Sequence, residues 1–231
     1  MQDDTGRTAN ALETKEMPDH RQKRLAKQKK KRAHVSRAAM SYAAPDELRR
    51  VERAVADQIL QFPVGPCFIT QDWQNPAKPR LHCLVATRRL QDNKFLPTMF
   101  LLDFGCQGVL DAYFAEPMGN ETLSALLDKL HPVFPQGFES IDPSIASRIV
   151  GACIQYATKL GFELKPELFS FLSALSEHID TTIDIEFGRG GKPLYCPNPN
   201  EDTRPIVKRL VEAVGPDGFN VELPHTRGTS P

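Results

Sequence analysis

What this 231-residue chain lacks narrows its chemistry. It has no uninterrupted stretch of about 18 apolar residues, so no segment reads as a membrane-spanning helix. Its five cysteines, Cys67, Cys83, Cys106, Cys153 and Cys196, are odd in number, far apart and without a C-x-x-C pair. That spacing indicates neither a disulfide framework nor a zinc ribbon, and the thiols read as reduced and mostly buried. The sequence contains no G-x-S-x-G, H-E-x-x-H or G-x-G-x-x-G. Nucleophile-elbow, zincin and dinucleotide-binding chemistry are therefore without support. The opening residues, MQDDTGR, have no apolar core and begin with acids, unlike a secretory signal or an Arg-rich transit peptide. The expected location is the cytoplasm, and no cofactor or metal is expected.

What is present is charge, unevenly placed. The formal net charge is 0, yet residues 1–44 carry +6 and the remainder −6. In HRQKRLAKQKKKRAHVSR, residues 20–37, nine of eighteen side chains are Lys or Arg and none is acidic. Each such cation can displace a condensed counterion from a phosphate backbone, so a polyanion is the partner class this segment fits. Arg21, Lys23, Arg24, Lys27, Lys29, Lys30, Lys31, Arg32 and Arg37 are the candidate backbone contacts. The segment has no aromatic before Tyr42, which argues against base stacking. RNA is slightly preferred over DNA, because arginine-rich segments fold on RNA and no DNA-reading motif occurs.

Periodicity divides the chain into a basic arm over 1–44, expected to be disordered or loosely helical, a single domain over 45–224 and a flexible tail over 225–231. The arm's few apolar residues define no stripe. From Pro45, Leu48, Val51, Val55 and Ile59 recur at helical spacing and predict an amphipathic helix. Extended pieces follow at Pro66–Thr70, Leu81–Leu90, Phe95–Phe104 and Gly108–Phe114, the second and third joined by Gln91-Asp92-Asn93-Lys94 as a hairpin. Helices are predicted over Leu123–Leu130, over Pro143–Leu160 behind the N-cap Asp142, over Pro166–Ala174 and over Thr203–Val214. A hairpin from Ile183 to Tyr195 is expected to turn at Gly188-Arg189-Gly190-Gly191, with a last strand at Phe219–Leu223. The fold class is α+β, an antiparallel sheet of five or six strands packed with helices.

Three patches carry a resemblance: Val85-Ala86-Thr87-Arg88-Arg89-Leu90 with Asp92; Phe100-Leu101-Leu102-Asp103 with Gly108-Val109-Leu110-Asp111-Ala112; and Phe187-Gly188-Arg189-Gly190-Gly191-Lys192-Pro193-Leu194-Tyr195. With the basic segment and Ala157–Phe162, they resemble a bacterial protein family some of whose members carry a fused SEC-C metal-binding motif. The likeness spans about residues 20–223 and brings no activity or catalytic residue with it. The Cys-rich SEC-C tail is missing here, so the resemblance implies a bacterial cytoplasmic protein but not zinc.

Among residues of the body, Asp103 and Asp111 stand at strand ends, where paired carboxylates could hold a divalent metal with His82 as a base. Such carboxylates more often accept turn N–H groups. His82, Cys83 and Cys106 form another candidate metal set, without paired spacing. The glycine-rich segment around Arg189 fails as a P-loop because Pro193 follows Lys192, and it reads as a β-turn. Arg88, Arg89, Arg189 and Lys192 are secondary phosphate contacts. The reading is a non-catalytic nucleic-acid or ribonucleoprotein binder, with a protein-interaction adaptor second, its partner on the acidic body, and a metal-dependent nuclease third.

Overall fold

A computed structural model describes residues 58–78, 80–175, 183–198 and 201–223. The basic arm, the part of the expected amphipathic helix before Gln58 and the tail lie outside these residues.

A five-stranded antiparallel sheet organises the body. Its strands are β1 (Cys67–Thr70), β2 (Leu81–Arg89), β3 (Phe95–Asp103), β4 (Gly108–Phe114) and β5 (Phe138–Ile141), ordered β4-β3-β2-β1-β5. The β2–β3 ladder is regular along its length, from Leu81 opposite Asp103 to Arg89 opposite Phe95. The connection closes at Gln91–Asn93, where Asp92 and Asn93 take positive φ, a conformation their short polar side chains tolerate. The α+β class and the antiparallel sheet are as the sequence implied.

Both faces of the sheet are covered. Helix α1 (Asn120–Leu130) packs Leu123, Leu126 and Leu130 against Cys83, Val85 and Met99 on one face. Helix α2 (Pro143–Lys159) lays Ala146, Ile149, Val150 and Cys153 against Leu84, Phe100 and Leu102 on the other. Central strand β2 is therefore buried on both sides, and only its end residues Leu81 and Arg89 are exposed. Helix α2 begins as its sequence implies, with the Asp142 carboxylate accepting from Ser144 N at 2.8 Å and Pro143 in the first turn. Strand β4 passes so close to α2 that a side chain at Gly108, which has a φ of 71°, would collide with the Cys153 carbonyl.

The helix expected over Pro166–Ala174 is present with those bounds and is of the 3-10 type. The structure departs from the sequence reading in two places. Strand β5 was not foreseen: it comes after Gly137 and is only four residues long. The Ile183–Tyr195 hairpin is reduced to its turn. Arg189 and Lys192 do pair across the glycines, but β6 (Leu194–Tyr195) runs parallel to β7 (Asn220–Val221), not antiparallel to residues 183–187. With α3 (Arg204–Val214), this small second sheet closes a separate apolar cluster of Cys106, Ala157, Leu160, Phe162, Tyr195 and Leu210. No described helix is long and apolar enough to cross a membrane.

Candidate functional site

The nine arm cations lie outside the described residues, so the geometry bears on the candidates within the body. It corrects one of them. Arg88, read from the sequence as a phosphate contact, is 4% exposed. Its Nε and Nη2 donate to the Ser173 carbonyl at 3.0 and 2.6 Å, its Nη1 to that of Phe62 at 2.8 Å, and its Nη2 also to that of Leu175. A guanidinium holding the end of a 3-10 helix and the entry segment together is not presented to a nucleic acid. Arg89, its neighbour, points the other way and is exposed, with its guanidinium carbon 5.8 Å from the Phe95 ring centre. The period of two along a strand separates the pair.

The carboxylates proposed for a metal serve separate local roles. Asp103 accepts from the backbone N–H groups of Gly105 and Gln107 at 2.7 and 2.9 Å, and from that of Cys106 at 3.4 Å, fixing the β3–β4 turn. Burial pushes its carboxyl upward, and those three donors pull it back. Asp111 accepts from the Tyr113 hydroxyl and from Ala112 N. The two share no partner, and no group of three or more metal-ligating side chains occurs among the described residues. The His82, Cys83, Cys106 set is likewise divided: Cys83 belongs to the core under α1, whereas Cys106 belongs to the cluster around α3. Burial pushes the Cys83 thiol up to about 12, and it raises that of Cys106 further, so neither is poised as a nucleophile.

What the fold does bring together is a buried polar cluster at the start of β2. Residues 80, 82, 84, 86 and 88 share one sheet face by alternation, and that face begins and ends with an arginine. Arg80, 4% exposed, donates through Nη2 to the Glu186 carbonyl and through Nη1 to that of Asn75 at 3.4 Å, and its guanidinium lies 5.6 Å from the Phe104 ring centre. His82, 1% exposed, holds Thr70 Oγ1 at 2.9 Å through Nδ1 and packs 4.5 Å from Phe104. Burial, with a smaller push from Arg80, lowers its imidazole to about 4, so it is neutral at pH 7. Phe187 joins from the 183–192 segment, stacked on Tyr156 at 4.5 Å, and Tyr156 donates its hydroxyl to the Gly105 carbonyl.

Further out on the same segment, Arg189 pairs with Glu222 at 2.8 Å and Lys192 donates to the Asp217 carbonyl at 2.9 Å. Gly188, Gly190 and Gly191 have φ of 70°, 59° and 73°, and a side chain at Gly188 would strike the Lys192 carbonyl, so the turn requires glycine there. Five buried side-chain nitrogens or oxygens have no hydrogen-bond partner among the described residues, and three of them belong to this region: Arg80 Nε, His82 Nε2 and Arg189 Nε. Arg80 was not singled out from the sequence. Its signal was an arginine two residues before His82 at the head of an apolar run, a place where a cation on the inner face must find internal acceptors.

The chain matches no protein-family profile, no curated protein and no solved structure.

Proposed function

We propose that this protein binds nucleic acid without catalysing a reaction on it, with RNA slightly preferred and residues 20–37 supplying most of the affinity. The observation that carries this is the density of nine cations in eighteen residues with no acid among them. Such a segment neutralises phosphates in sequence-independent fashion. The body supports the reading by what it does with its own charge: Arg88 and Arg80 are engaged inside the fold, leaving Arg89, Arg189 and Lys192 as its secondary contacts. The bacterial, cytoplasmic setting belongs to the same proposal.

The test is the salt dependence of binding to short RNA and duplex DNA. Six to nine neutralised phosphates, at about 0.7 to 0.9 counterions each, give a slope of log K against log salt of roughly −4 to −8. Removing residues 1–37 is expected to flatten that slope and abolish most binding. Unchanged affinity and slope after the deletion would reject the reading.

The adaptor reading stands second on a specific observation. Val211 and Val214 of α3, with Val221 of β7 and Leu223, are large apolar side chains left exposed at 37 to 69% within thirteen residues of chain. It predicts that protein binding survives loss of residues 1–44. The nuclease reading stays third, because Asp103 and Asp111 each accept from separate partners within their own turn or strand.

A further inference from the structure

We propose that β7 is a homodimer interface, at which two copies of the chain pair antiparallel through its outer edge about a two-fold axis at Val221, joining their β6-β7 pairs into one sheet. The inference goes beyond the nucleic-acid reading and does not depend on it. Backbone direction supplies the first observation. Asn220 N donates to the Pro193 carbonyl at 2.7 Å and Glu222 N to that of Tyr195 at 2.9 Å, so residues 220 and 222 aim their peptide groups at β6. By alternation Val221 aims its N–H and C=O the opposite way, where no partner meets them among the described residues. Its side chain is 48% exposed.

The two faces of this small sheet are unlike. Asn220 and Glu222 lie on a polar face, where Asn220 Nδ2 donates to the Arg189 carbonyl and the Arg189 guanidinium holds Glu222. Phe219 and Val221 lie on the other face with Tyr195, toward the cluster that α3 closes, and Leu223 continues their row at 69% exposure. On α3, Val207 packs on the same cluster, and Val211 and Val214 extend its stripe outward. An uncovered apolar row thus runs along an open edge, and self-complementarity selects a second copy to cover it. About Val221, an antiparallel pair sets Val221 against Val221, Phe219 against Leu223, and Glu222 against Asn220, so apolar meets apolar and no like charges oppose. Centring on Glu222 would set two carboxylates face to face, and centring on Asn220 would set Leu223 against Asp217. Because the paired segment is short, the dimer is expected to be weak, with a Kd of about 1 to 100 µM.

The test is sedimentation of the full, nucleic-acid-free chain across that concentration range, read together with amide exchange at Val221. Dimers are expected to form, and the Val221 N–H to exchange more slowly, as concentration rises. Val221→Lys is expected to weaken the dimer at least about tenfold by placing two ammonium groups across the axis, and Val221→Glu to do the same with two carboxylates. An equimolar mixture of the two variants should recover a dimer within about threefold of the native Kd, because residue 221 then meets its opposite charge across the axis. That rescue also shows both variants to be folded. A chain that stays monomeric well above the expected Kd overturns the proposal: a protected Val221 N–H would then give the edge to residues 224–231, and an unprotected one would leave the apolar row to a different protein. A dimer that survives Val221→Lys unchanged, or variants that keep native circular dichroism yet fail to rescue one another, would overturn it as well.

Discussion

Two sets of cations in this chain have opposite relations to the fold. Those of residues 20–37 are crowded together without a single acid or apolar stripe, so nothing in their own segment can neutralise or bury them. Those of β2 sit at the two ends of one apolar face, Arg80 before it and Arg88 within it, and donate to carbonyls of segments that have no regular sheet partners. A buried guanidinium is tolerated only when its donors meet acceptors, and here each arginine gathers two or three chain segments to supply them. Cation density points to a ligand where no apolar period accompanies it, as in residues 20–37, whereas a cation in phase with Leu84 and Ala86 becomes a structural cross-link.

Arg88 gives the largest expected effect on this contrast. Arg88→Ala leaves the carbonyls of Phe62, Ser173 and Leu175 without their donor in a buried setting, at about 1 to 3 kcal/mol for each group that water cannot reach. Chemical denaturation is expected to show a loss of roughly 3 to 5 kcal/mol, a large share of a typical domain's stability. The fraction that remains folded should bind RNA with unchanged salt slope. A stable variant with weakened RNA binding would place Arg88 among the ligand contacts after all.

The opposite manipulation is Lys29→Gln, Lys30→Gln, Lys31→Gln and Arg32→Gln together. It should lower affinity about a hundredfold at moderate salt and shorten the slope by about three units, uniformly across sequences, since phosphate contacts carry no base information. The denaturation midpoint should move by no more than about 0.5 kcal/mol in free energy. Together with Arg88→Ala this forms a double dissociation: one set of cations moves binding alone, the other stability alone.

His82 extends the comparison to pH. Its native imidazole is held neutral, at about 4 against the usual 6.5, so the unfolded chain binds the extra proton first as pH falls. Its contribution to stability is complete above pH 6.5, declines between 6.5 and about 4, and has fallen by about 2 kcal/mol at pH 5. Urea denaturation across that window should show the loss, and His82→Gln should remove most of the slope while lowering stability at pH 7. A pH-independent stability between 5 and 7 would mean that His82 finds an acceptor for its second nitrogen.

Much of this architecture was legible in the residues. Asp142-Pro143 marked the start of α2, Asp92-Asn93 marked the tight β2–β3 connection, and the apolar runs on either side marked its strands. What escaped was decided by contacts distant in sequence. Strand β5, Phe138-Glu139-Ser140-Ile141, has no alternating signature of its own and is a strand because β1 offers it an edge. Leu194 and Tyr195 pair with Asn220 and Val221 because the Asp103 turn captures their segment, through Gly188 N on the Phe104 carbonyl and Leu194 N on that of Gly105. The Arg80–His82 cluster was hidden for the same reason: Thr70, Phe104, Tyr156 and Glu186 meet there only after the sheet has formed.

The smallest expected effect is also the most direct check, because it concerns the residue beside Arg88. Arg89 shares its charge, its strand and its sequence neighbourhood, and differs only in the face it occupies. Its guanidinium lies over Phe95 in a solvent-exposed setting, an arrangement that contributes about 0.5 to 1 kcal/mol. Arg89→Ala should therefore lower stability by no more than about 1 kcal/mol, several-fold less than Arg88→Ala. If it is a phosphate contact, its loss shortens the salt slope by no more than about one unit. Equal destabilisation by the two substitutions would show that strand alternation does not set the fate of these cations, and the distinction between outward charge and internal cross-link would have to be abandoned.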